Sequence, residues 1–199
     1  MNSFWQSFLL TFIPLFIVVD ALGNLPFIVS LGEGLSTRER KRMINIAIMT
    51  ATIVGLIFLF FGQLILKAMG ISVGALTITG GIILLTLSIK YILSGRMFEA
   101  DRQEMVAVVP IGTPLVVGPA TITTLLLLAT EYPLYIILIS LALNLLISWI
   151  IFILGNRIAA FLGKGGLRAT SQIFNLLLAA IAVNMVLRGL GLVGVLNIK

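Results

Sequence analysis

The sequence predicts an all-α membrane protein: six transmembrane helices arranged as two inverted three-helix repeats, with helices 1 and 4 broken. Three observations predict it. Of 199 residues, 60% are hydrophobic and 10% charged, with a mean hydropathy of +1.20, the composition of a polytopic membrane protein. The apolar residues fall into six uncharged runs, each able to cross about 30 Å of hydrocarbon at about 1.5 Å per residue. Two of these runs are interrupted, at corresponding places, by residues that a bilayer core disfavours. We expect a single polytopic membrane domain over 1–199, with repeat 1 about 1–95 and repeat 2 about 96–199.

The helices are expected near 4–31, 43–67, 72–92, 105–129, 133–155 and 171–195. In the first, Val19-Asp20-Ala21-Leu22-Gly23-Asn24-Leu25-Pro26 puts a carboxylate, a glycine, an amide and a proline into the apolar run. An Asp at the centre of a spanning helix costs roughly 2.5–3.5 kcal/mol on insertion scales, and broken backbone persists at that depth only inside protein or along a cavity. Gly23 tolerates angles that stop the helix, Asn24 suits an N-cap and Pro26 falls in the opening turn of a new half-helix. Pro14 reads as a plain kink. In the second and third helices, the spacing of Gly55 and Gly62 and the pair Gly80-Gly81 mark close helix packing.

The fourth helix carries the second interruption, Thr113-Pro114-Leu115-Val116-Val117-Gly118-Pro119-Ala120-Thr121, which lies 95 residues on when Gly23 is paired with Gly118. Gly118 suits an N-cap and Pro119 the first helical position, where the missing N–H would have no intrahelical partner anyway. The same offset carries Thr77-Ile78-Thr79-Gly80 onto Gln172-Ile173-Phe174-Asn175. With three spans per half, the two repeats must run in opposite directions. In the fifth and sixth helices, Asn144, Ser148, Asn175 and Asn184 read as interhelical hydrogen-bonding groups, while Arg188, like Lys90, sits near a span end and snorkels to the interface.

Charge sets the topology. Ten of the 13 basic residues adjoin the first, third and fifth connections: Arg38, Arg40, Lys41 and Arg42, then Lys90, Arg96 and Arg102, then Arg157, Lys164 and Arg168. Only Lys67, Arg188 and Lys199 fall on the other side, so both termini are expected to be extracytoplasmic. The formal charge of +6 belongs to these connections and forms no nucleic-acid stripe. The N-terminus has no basic n-region or convincing cleavage site, so the first run reads as retained.

With no cysteine and no histidine, thiolate chemistry, histidine metal ligands and the usual proton shuttle are excluded. One intramembrane acid offers no nucleophile–base pair, so an enzyme is not expected. No Walker-type motif appears, which leaves an ion gradient as energy source and no cofactor beyond a coupling Na⁺ or H⁺. The half-helices starting near Asn24 and Gly118 would point away from each other, with both N-termini facing the middle of the membrane and converging on an anion. Asp20, beside carbonyls that have lost their partners, suits an ammonium group or a cation. A zwitterion satisfies both. The alternative is that Asp20 caps the next half-helix or bonds a polar partner such as Asn144 or Asn184.

Asp20-Ala21-Leu22-Gly23-Asn24-Leu25-Pro26, Thr79-Gly80-Gly81-Ile82-Ile83-Leu84 and Pro114-Leu115-Val116-Val117-Gly118-Pro119-Ala120-Thr121-Ile122 resemble the signature elements of the MarC family of bacterial and archaeal inner-membrane proteins. The resemblance covers nearly the whole chain. It implies a lysine-exporter-like fold and transport of small neutral amino acids such as glycine or alanine. Two departures stand out. Ala21 replaces the family's usual Pro, which predicts a less sharp break or one placed a residue later, and Gln172 and Asn175 stand where the family tends to carry Arg and Gly.

The expected function is therefore secondary transport across the inner membrane, with a site formed by Asp20, Gly23, Asn24, Pro26, Gly118, Pro119 and Thr121. The partners are the lipid bilayer and a small zwitterionic solute, and a homo-oligomer is left open. The alternatives are an exporter or channel for another small solute, or a membrane protein of non-transport function.

Overall fold

The computed structural model describes residues 4–32, 34–94 and 116–195. Among them the chain is all-helical, with seven helices: α1 (Phe4–Val19), α2 (Leu25–Leu31), α3 (Thr37–Ala68), α4 (Val73–Ser94), α5 (Pro119–Glu131), α6 (Leu134–Ile153) and α7 (Gly155–Leu192). Four stretches are long and apolar enough to cross a membrane: Thr37–Ala68, Val73–Lys90, Leu134–Ile153 and Gly165–Leu192. The two apolar helices that fall short, Phe4–Val19 and Ala120–Glu131, are those that end or begin at the interruptions. The expected segment 105–115 and the repeat boundary near 95 lie outside the described residues.

Two helix ends depart from expectation because helicity does not stop where charge begins. α3 starts at Thr37 rather than 43, held by a capping box in which Ser36 N–H donates to Glu39 Oε2 (2.9 Å) and Glu39 N–H donates to Ser36 Oγ (3.3 Å). Its Arg38–Arg42 turn is solvated helix, and 32 residues at about 1.5 Å each outreach the hydrocarbon. α7 starts at Gly155 rather than 171, and left-handed Gly163 (φ 64°) divides it into a short helix and the spanning part.

Small residues determine which helices touch most closely. On α4, a Cβ at Gly81 would lie 2.8 Å from the Ala182 carbonyl oxygen of α7, and on α7 a Cβ at Gly189 would lie 2.9 Å from the Gly74 carbonyl oxygen. The two helices therefore pack antiparallel, backbone on backbone, through two contacts seven residues apart on each helix. Gly55 and Gly62 of α3 instead make room for side chains, Leu141 of α6 and Leu126 of α5. The packing role expected of these glycines is what the fold shows.

α5 is the centre of the bundle. From Ala120 to Leu128 every residue but Ile122 is buried, and α1, α3, α4 and α6 all pack against it. Thirteen residues are marginal as an isolated helix, so α5 persists because it is enclosed on all sides.

Candidate functional site

At the first break the chain turns on Asp20 rather than on Gly23. Asp20 follows the last residue of α1 and takes the left-handed conformation, φ 49°, which Asp tolerates better than most residues that carry a Cβ. Its own N–H still donates to the Phe16 carbonyl (3.2 Å), its carbonyl accepts from Asn24 N–H (2.9 Å), and its Oδ1 accepts from Gly23 N–H (3.0 Å). Gly23 is required for space: a Cβ there would collide with the Asp20 carboxyl. α1 ends at Val19, before Ala21, so the break is not placed a residue later for want of the proline.

Asn24 stands at the N-cap position of α2, and its carbonyl accepts from Ile28 N–H (3.0 Å). Its side chain, however, reaches backwards: Nδ2 donates to the Val19 carbonyl (3.3 Å), closing the end of α1 rather than opening α2. Pro26 is the second residue of α2.

The second break follows the expected chemistry. Gly118 is the N-cap of α5, extended at φ −85°, ψ −175°, and Pro119 is its first residue. The Gly118 carbonyl accepts from Ile122 N–H (3.0 Å), and among the described residues no side-chain hydrogen bond caps this end. Among the described residues a Cβ on Gly118 would meet nothing within 4 Å.

The two breaks adjoin. Thr121 Oγ1 lies 3.4 Å from the Val18 carbonyl in the last turns of α1 and 3.4 Å from the Val116 carbonyl before α5, a long, shared hydrogen bond that ties them together. Between them is a cavity of about 110 Å³, lined by Asp20, Asn24, Gly118 and Thr121, by Ile83, Leu84 and Ser88 of α4, and by Leu178 of α7. That is room for a few water molecules. Asp20, 4% exposed, is the charged residue among its described lining, which also includes Asn24, Ser88 and Thr121 amid largely apolar neighbours. Such a wall can hold one small cationic group by charge and hydrogen bonding while leaving aliphatic contacts for the remainder of a solute. Among the described residues no cluster of three or more acidic side chains gathers that could hold a metal ion.

Five expected site residues, Asp20, Gly23, Asn24, Gly118 and Thr121, thus meet at one place, with Pro26 and Pro119 in the adjoining helix starts. The wall from α4 was not foreseen. Ser88, 1% exposed, donates to the Leu84 carbonyl (2.8 Å) and follows Gly80 and Leu84 at helical spacing, so the Gly80-Gly81 face continues into the cavity. Neither amide proposed as a partner for Asp20 fills that role in the bonds formed. Asn144 Nδ2 donates to the Phe12 carbonyl of α1 (3.2 Å) and to the Ser140 carbonyl (2.9 Å), beside a Thr11–Ser140 hydroxyl pair 2.7 Å apart. Asn184 lines a different cavity. Arg188 does not snorkel alone: its Nη1 lies 3.3 Å from Glu131 Oε1.

The sequence matches the MarC family of integral membrane proteins over residues 5–193. The chain belongs to the MarC family. Among its relatives, a UPF0056 membrane protein of Methanocaldococcus jannaschii is 28% identical over 93% of this chain and 96% of its own length. The UPF0056 inner membrane protein YhgN of Escherichia coli K12 is 32% identical over 88% of this chain and 92% of its own. A UPF0056 membrane protein of Buchnera aphidicola subsp. Schizaphis graminum is 33% identical over 90% and 94%. No solved structure matches. This MarC protein is an integral membrane protein, and the described residues of the three segments that carry the resemblance include both breaks and Ile83 and Leu84 of the α4 wall.

Proposed function

We propose that this MarC protein is a secondary transporter of small zwitterionic solutes, of the class of glycine and alanine, in the cytoplasmic (inner) membrane. The observation that carries the reading is the cavity where both breaks meet. Asp20 takes the solute's ammonium group or a coupling Na⁺ or H⁺, and the uncapped N-terminus of α5 at Gly118 takes its carboxylate through backbone N–H groups and the positive end of the helix dipole. α2 has only seven residues, so α5 supplies most of the anion side. In a spanning segment a lone carboxylate is expensive, and one held on a cavity wall by a strained turn is more readily explained by a ligand than by packing.

The reading includes six crossings in two inverted repeats, with α1–α2 corresponding to α5, α3 to α6, and α4 to α7. The packing supports it. Under that exchange α1·α6 becomes α3·α5 and α4·α5 becomes α7 against α1 and α2, while α1·α5, α3·α6 and α4·α7 map onto themselves, and every one of these pairs is in contact. The distribution of basic residues supports extracytoplasmic termini, and the Escherichia coli relative is named an inner membrane protein.

Uptake of labelled glycine and alanine into proteoliposomes under an imposed Na⁺ or H⁺ gradient tests the proposal, with Asp20→Asn as the control. Gradient-driven uptake lost in the variant is expected. Wild-type protein that moves neither amino acid under either gradient would refute it.

A further inference from the structure

We propose that a second cavity is the outer vestibule of the solute path, and that Glu131 and Arg188 at its mouth are a charge pair that an entering zwitterion parts, a reading that rests on the transport function above. The cavity, about 250 Å³, lies between α1, α5 and α7. It stands on the first. Ile17, Thr124 and Ile181 line it, whereas Val18, Thr121 and Leu178 line the cavity at the breaks. On each of the three helices the step from one cavity to the other is a single turn or less, so the two chambers share three helices as walls.

At the far end Arg188 Nη1 faces both carboxylate oxygens of Glu131, at 3.3 and 3.4 Å, with the side chains 47% and 41% exposed. Charge-assisted hydrogen bonds are usually a few tenths of an ångström shorter, and half-exposed pairs hold weakly. The pair is therefore easily opened by a molecule that offers each charge a replacement. A zwitterion does: its ammonium group takes Glu131 and its carboxylate takes Arg188. A solute with one charge strands the other partner, so the mouth favours zwitterions before the inner site is reached. The carboxylate is also the last residue of α5, the helix whose first residue adjoins Gly118, and Arg188 is on α7 with Leu178. Parting the pair thus acts on two helices that wall the inner site.

The natural chain has no cysteine, which makes a direct test simple. Asn184→Cys, within the vestibule, should be labelled by a membrane-impermeant thiol reagent from the Glu131 side only, and saturating glycine should slow that labelling. Glu131→Gln and Arg188→Gln should each raise the KM for glycine uptake about tenfold, as expected for loss of one charged hydrogen bond, with kcat little changed. The exchanged pair Glu131→Arg/Arg188→Glu should recover most of the loss. Wild-type KM in both single variants, or Asn184→Cys unlabelled from that side, would overturn the vestibule while leaving the inner site standing. Absent uptake by the wild type would instead defeat the transport reading, and the labelling, which needs no transport, would still decide whether this chamber opens to water.

Discussion

Asp20 shapes a turn and, in the function proposed above, also holds the solute, and a single substitution separates the two. Asn is also tolerated in the left-handed conformation, and its Oδ1 can still accept from Gly23 N–H, but it carries no charge. Asp20→Asn should therefore insert and melt like the wild type while gradient-driven uptake falls at least about tenfold, the equivalent of about 1.4 kcal/mol; uptake at the wild-type rate would reduce Asp20 to a turn residue. The two break glycines should behave oppositely. Gly23→Ala drives a methyl into the Asp20 carboxyl and should lower stability by about 1–3 kcal/mol, as overpacking does, visible as a lower melting temperature in detergent. Gly118→Leu meets no close neighbour among the described residues and sits at an ordinary φ, so melting should stay near the wild type while glycine binding is lost.

Among the elements, α4 and α7 depend most on small residues. Because the Ala182 carbonyl is backbone and cannot rotate away, Gly81→Leu should push the helices apart and destabilise the protein by about 1–3 kcal/mol or more, measured by thermal melting, whereas replacing exposed Ile82 with Leu should change little. What could be read from the sequence at this scale was what is local. Gly118-Pro119 announces a helix start through its own chemistry, and α5 begins there. The spacing of Gly55 and Gly62 announces a packing face. The direction of the Asn24 side chain was not legible, since an amide can serve either neighbouring helix end and only the position of the Val19 carbonyl decides. Nor was the turn at Asp20, because a glycine three residues on is the usual left-handed residue. Ser88 in the cavity wall and Glu131 on Arg188 are contacts between helices distant in sequence, fixed by how α4 and α7 cross their neighbours. The early starts of α3 and α7 were missed because an uncharged run marks the part of a helix that lipid tolerates, not the whole helix.

For the whole molecule, the distribution of basic residues predicts that reporter tags after Lys199 and near Glu131 lie outside the cytoplasm, and that tags near Arg38 or Lys164 lie within it; a cytoplasmic C-terminus would contradict the proposed arrangement. The central claim is that the two halves meet at one solute site, rather than each carrying a kink of its own. Glycine affinity measured for the wild type, Asp20→Asn, Gly118→Ala and the double variant tests it most directly. Each substitution leaves its local backbone intact, so the fold is not in play, and residues acting on one bound molecule should be coupled. The account predicts that each single change weakens binding and that the double variant loses clearly less than the two losses combined; strict additivity within about 0.3 kcal/mol would show two independent breaks and contradict a shared site.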